Sequence, residues 1–197
     1  MLIISTALYY EAQSLISCFN MKKDSSGPFQ VFESSQARLV ITGIGCIQSA
    51  MAVSFLLTRY PAGAKDIFIN TGICGSVRTD IPIGSIILCK KIIHFDTKKE
   101  FLPETKIRHP FLEGVLESCS RGVSMKDRDS LSGDYIDMEA YGAALTASRF
   151  LTRSQIFFIK IVSDFLTPDT LTPELTASLV NSKSSKIAEW GIQQCLI

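Results

Sequence analysis

The chain has 197 residues, 46% of them hydrophobic, and its 20 Lys and Arg nearly balance 19 Asp and Glu for a formal net charge of +1. That length can bury a full core and predicts one domain spanning residues 1–197, while the even charge, with no basic block, argues against a nucleic-acid partner. No apolar run reaches the ~18 residues of a membrane span, and "MLIISTALYYEAQ" has neither a basic lead-in nor a small-residue cleavage site, so it does not read as a signal peptide.

Apolar runs alternate with helical patterns along the whole chain. "LIIST" (2–6) predicts a strand and "EAQSLISCF" (11–19) a helix. "FQVF" (29–32) and "ARLVITG" (37–43) form a pair of strands across a short turn, and the Ala, Met and Leu content of "IQSAMAVSFLLTRY" (47–60) predicts a helix. "DIFINTG" (66–72) and "GSIILCKKIIHF" (84–95) are strands. "HPFLEGVLESCS" (109–120) reads as a helix begun at Pro110, and "MEAYGAALTASRF" (138–150) as another. "QIFFIKIVSD" (155–164) is a buried strand, and Pro173 opens a final helix that reaches Leu196. This alternation predicts an α/β fold, a three-layer sandwich around a mixed, mostly parallel central sheet.

In such sheets ligands sit outside the carboxyl ends of the strands. That rule selects Ala7–Glu11, Thr42–Gly45, Thr71–Gly75, Ser163–Asp164 and the Met138–Glu139 junction. "TGIGC" and "NTGICGS" read as Gly-rich turns whose amides could line a pocket, but neither has the spacing of a dinucleotide or triphosphate loop. Glu11 and Glu139 could serve only as first-turn carboxylates favoured by a helix dipole, and Asp164 only as an N-cap. Their common position at one sheet edge favours a site. The six cysteines are scattered singly and the two histidines have no clustered thiols, so no metal or cofactor is expected, and free thiols point to a reducing cytoplasm. Cys74 with His94 or His109 leaves a Cys–His hydrolase open.

Five segments in register resemble the nucleoside phosphorylase family, in particular its hydrolytic branch of methylthioadenosine/S-adenosylhomocysteine nucleosidases and futalosine hydrolases. "IISTALYYEAQSLI" is similar to the family's first strand and acidic helix start, "TGIGCIQSAMA" to its SGIG turn, and "INTGICGSV" to its NTGSAGG segment. "IDMEAYGAA" resembles VEMEA and "IKIVSDF" resembles RxISD, with Lys160 in place of the usual Arg.

The resemblance implies a purine nucleosidase that uses water. Glu11 falls on the water-activating glutamate, Met138 and Glu139 on the ribose-binding pair, and Asp164 on the acid that protonates the purine, with Ser163 beside it. Ile44 and Gly75, in the turns that match, fall among the substrate contacts. Asp137 is expected to face away. The chain is shorter than these nucleosidases between Val123 and Ile136, where they carry a base-stacking Phe, so Phe165 and Ile73 are expected to substitute. A homodimer is expected on the same ground.

Other readings stay open. A phosphorylase would need basic residues to hold phosphate, and the early Gly-Asp-Pro-x-Arg turn of those enzymes is absent. A non-catalytic nucleoside-binding protein would not need all three acids. The lysine-rich stretch "HFDTKKEFLPETKIRH" (94–109) would attract a carboxylate on the 5′ substituent, which favours futalosine or its 6-amino analogue over methylthioadenosine.

Overall fold

The computed structural model describes residues 1–104 and 107–196. Among these, ten strands form one sheet: β1 (Leu2–Thr6), β2 (Lys22–Asp24), β3 (Gln30–Glu33), β4 (Ala37–Ile41), β5 (Ile67–Ser76), β6 (Ile86–His94), β7 (Glu100–Phe101), β8 (Leu112–Ser118), β9 (Tyr135–Asp137) and β10 (Ile156–Asp164). Four α-helices cover it: α1 (Tyr9–Cys18), α2 (Cys46–Arg59), α3 (Ala140–Ala147) and α4 (Pro173–Cys195).

β5 is the hub. It pairs in parallel with β1 on one side and β10 on the other, and its last residues, Gly75 and Ser76, pair antiparallel with β9. β10 pairs with β6, β6 with β8, and β8 with β9, so these strands and β5 close into a ring. From β1 the sheet extends outward through β4, β3 and β2. The sheet is mixed, with parallel pairings flanking its centre.

Burial on both faces explains why β10 reads as one apolar run. All nine residues of Ile156–Asp164 are buried. Alternate residues point to opposite faces: Phe157, Ile159 and Ile161 meet α1 and α4 through Leu15, Val180 and Trp190, while Ile156, Phe158 and Val162 meet α2 and α3 through Leu56, Ala143 and Ala147. Each such side chain contributes ~1.5–3 kcal/mol on burial. Two helical layers on a central sheet make the three-layer sandwich. Gly142 lets α3 approach the start of α2, since a Cβ there would lie 2.0 Å from the Cys46 carbonyl oxygen.

Two expectations need correction. Residues 109–120 do not form a helix, because Leu112–Ser118 is the strand that fills the slot between β6 and β9. Leu and Glu favour a helix only weakly, and the sheet's open hydrogen bonds override that preference. Gly114 also fits the strand, because a Cβ there would strike the Tyr135 ring at 2.3 Å. Likewise "TGICGS" is not a turn. β5 runs through it to Ser76, and Gly72 supplies a φ of +145° that other residues avoid.

Candidate active site

The carboxyl ends of β1, β5 and β10, the loop after β4 and the β9–α3 junction enclose a cavity of about 170 Å³. Eight of the nine residues selected from the sequence line it: Glu11, Glu139 and Asp164, with Met138, Ser163, Ile44, Ile73 and Gly75. Phe165 does not. The chain reverses after β10 with Leu166 at φ +56°, and it is the Leu166 side chain that turns inward, against Val123 and Ile136.

Glu11 sits in the first turn of α1 with 3% of its surface exposed. Its carboxylate accepts hydrogen bonds from the Leu8 amide (2.9 Å), the Thr6 hydroxyl (3.1 Å) and the Ile73 amide (3.1 Å). Burial raises its pKa, against the lowering effect of those donors and of Lys160. Gly72 makes this placement possible, as a Cβ there would come within 2.8 Å of Glu11 Oε1.

Glu139 is the N-cap of α3 and reaches across to the Gly45 amide, which donates to Oε1 at 2.8 Å. Gly45 has a φ of +104°, a conformation that other residues avoid. Burial first, and then the neighbouring Asp137 charge, push the Glu139 pKa up to about 7. Asp137 does not face away as expected. It lines the cavity floor, and its Oδ2 pairs with Lys160 Nζ at 2.8 Å. The legible signal was Lys160 itself, because a lysine inside "FFIKIV" needs a buried acid as partner.

Asp164 ends β10 with 5% exposure. The Ser163 hydroxyl lies 2.7 Å from its Oδ2, and the Thr167 amide donates to Oδ1 at 2.7 Å. Thr167 lies beyond the reversal that turns Leu166 inward, and Leu166 accepts from the Met125 amide at 3.1 Å. That bond ties the Asp164 end of the cavity to the loop carrying Arg121, Gly122 and Val123, which supplies a wall the sequence did not reveal.

The remaining candidates separate from this cavity. Cys74 touches it, but its residue is 2% exposed and burial pushes the thiol well above its ordinary range, so a thiolate is disfavoured. His94 faces a different depression, between α2 and α3, and His109 bonds Glu113 at 2.8 Å beside α4. No Cys–His pair assembles from these residues. Lys98 is drawn to the buried Glu117 at 2.8 Å, and Lys99 lines the His94 depression, so neither forms a rim to the cavity. Thr105 and Lys106 of the same stretch lie outside the described residues.

Residues 2–116 match the family model described as the phosphorylase superfamily. The chain belongs to that superfamily. Among curated members it is 25% identical over 121 residues to the 5′-methylthioadenosine/S-adenosylhomocysteine nucleosidase of Bacillus pumilus, a match covering 61% of this chain and 51% of the relative. The nucleosidase of the same description from Oceanobacillus iheyensis is 31% identical over 58 residues, covering 29% of this chain and 24% of the relative. The chain thus spans about half the length of the first of these relatives or less. Among solved structures, the 5′-methylthioadenosine/S-adenosylhomocysteine nucleosidase of Neisseria meningitidis in complex with methylthio-immucillin-A aligns with a TM-score of 0.81 at 18% identity over 98% of both chains. That of S. pneumoniae, with the transition-state inhibitor MT-ImmA, aligns with a TM-score of 0.83 at 17% identity over 100% of both. The fold of this superfamily member is therefore theirs.

Proposed function

We propose that the protein is one nucleosidase domain that hydrolyses the N-glycosidic bond of a 5′-modified purine nucleoside. The observation that carries this reading is the convergence of Glu11, Glu139 and Asp164, from three separate elements, on one cavity. Cleavage passes through a sugar with oxocarbenium character, by analogy with glycoside hydrolysis. The C–N bond breaks toward the purine, and Asp164 gives its proton to the leaving base, with Ser163 holding the carboxyl group. Glu139 accepts hydrogen bonds from the ribose hydroxyls, and its charge stabilises the cationic ring. Glu11 takes a proton from the attacking water, while Met138 packs on the ribose. Ile73, Gly75 and Leu166 flank the base.

Water is favoured over phosphate by the charge of the site. Four acids line the cavity, Glu11, Asp137, Glu139 and Asp164, and Arg121, the one Arg or Lys lining it among the described residues, is already paired with Asp127 at 2.5 Å. The side of the cavity nearest Glu11 and Gly45 is walled by Leu8 and Ile44. Apolar walls suit a thioether on the 5′ carbon better than a carboxylate. Together with the names of the relatives, this supports methylthioadenosine or S-adenosylhomocysteine as substrate over futalosine, whose case rested on Lys98 and Lys99. Purified protein in phosphate-free buffer is expected to release free base from methylthioadenosine with at least tenfold higher kcat/KM than from a futalosine-type nucleoside. Strict dependence on phosphate, with a sugar 1-phosphate as product, would overturn the hydrolytic reading. A preference for futalosine would overturn the substrate.

A homodimer, in a reducing cytoplasm that suits six free thiols, belongs to the same proposal. Ile47 (77% exposed) and Leu145 (48%) line one depression between α2 and α3, and Met51 (54%) of α2 and Ile44 of the cavity wall, two residues before α2, are exposed as well. A second copy seated there would close the 5′ side. Sedimentation is expected to give a dimer for the wild type and a monomer of lowered activity for Ile47→Asp. A fully active wild-type monomer would remove this part of the proposal.

A further inference from the structure

Lys160 stands out because it is 2% exposed, charged and absent from the cavity wall. The alternation of β10 turns it toward the same side as Phe158 and Val162, beneath the cavity floor. An ammonium buried alone would lose its proton. Here burial lowers its pKa, but the charges of Asp137, Glu139 and Glu11 outweigh that effect and hold it above its ordinary range.

The partner it touches, Asp137, is fixed from three sides. Its Oδ1 accepts from the Ser118 hydroxyl of β8 at 2.6 Å, while its Oδ2 accepts from Lys160 of β10 at 2.8 Å and from the Ala140 amide of α3 at 2.9 Å. Two residues later the same backbone delivers Glu139 to the Gly45 amide. The cluster therefore has three carboxylates, Asp137, Glu139 and Glu11, and one cation. The thiols that feel it, Cys46 of α2, Cys74 of β5, Cys89 of β6 and Cys119 after β8, are all held protonated by burial.

We propose that Lys160 is a positioning residue: through Asp137 it locks the Asp137–Met138–Glu139 turn, and its charge offsets the carboxylates buried around it. The proposal rests on the nucleosidase reading and goes beyond it, since Lys160 reaches neither substrate nor water. Around Glu139 the Asp137 carboxylate raises the pKa and the Lys160 ammonium lowers it.

The test is the pH profile of kcat/KM for base release. Lys160→Met is expected to move the acid limb upward by at least one pH unit, a loss of about fivefold or more at pH 7 that alkaline buffer recovers, and Lys160→Arg is expected to restore the wild-type limb. Asp137→Asn should move the limb the opposite way, to lower pH, and it keeps the oxygen that accepts from Ser118, so it reports even where Lys160→Met does not fold. An acid limb that stays in place in both Asp137→Asn and any folded Lys160→Met would overturn the role of Lys160. An inactive wild type would instead overturn the nucleosidase reading, and the two failures are thus distinct.

Discussion

Asp164→Asn is expected to lower kcat for base release by ~10²–10⁴-fold, the range typical of general acid–base groups, with little change in KM. Asparagine keeps the shape of the side chain, and its oxygen still accepts from the Thr167 amide now bonded at 2.7 Å. What it lacks is the proton. The purine anion would then have to leave unprotonated, and the loss should shrink for a nucleoside whose base is a better leaving group. Cys74→Ala is the matching control. It removes one sulfur from a buried thiol that burial already holds protonated, so most activity should survive. Normal turnover by Asp164→Asn together with a dead Cys74→Ala would reverse the assignment and make Cys74 the nucleophile.

The strands that carry these acids were legible because both faces of the sheet are buried. A run such as "FFIKIVSD" has no amphipathic alternative and can only be a central strand. Its end therefore located Asp164, and the rule for sheet edges brought in Glu11 and Glu139. β8 was illegible for the opposite reason. Its residues Leu112 and Glu113 are exposed and Leu116 to Ser118 buried, a pattern that matches a helix as well as a strand until β6 and β9 supply its hydrogen bonds.

The site's misses are also physical. Sequence neighbours on a strand point to opposite faces, so Phe165 and Leu166 could not be told apart without the backbone reversal at Leu166. Asp137 was expected to face away because the resemblance gave roles to Met138 and Glu139 and none to Asp137. In the structure both acids line the cavity, Asp137 at the end of β9 and Glu139 as the N-cap of α3 with φ −124° and ψ −34°. Their neutraliser, Lys160, lies 23 residues along the chain from Asp137, a pairing that only the sheet order brings together.

Glu139→Gln should separate activity from stability. Burial and Asp137 hold the Glu139 carboxyl up at about 7 in the folded protein, against ~4.3 for a free glutamate. A carboxyl group with a raised folded-state pKa binds more protons folded than unfolded, so its contribution to stability is fully present below ~4.3 and is lost as pH rises through about 7. The anion that the proposed ribose contact requires is therefore a strained state of the fold. Glutamine keeps an oxygen for the Gly45 amide, which donates at 2.8 Å, and removes the buried charge. Its midpoint of thermal unfolding at pH 8 is expected to exceed that of the wild type, with the advantage shrinking toward pH 5. Activity at pH 8 should nevertheless fall by ~10²-fold or more, the scale lost with one preorganised electrostatic contact in an active site. The wild-type acid limb of kcat/KM should lie near pH 7, where Glu139 takes up its proton. A glutamine variant that is less stable than the wild type at pH 8, or one that retains activity, would show that the Glu139 charge is not what the site is built to hold.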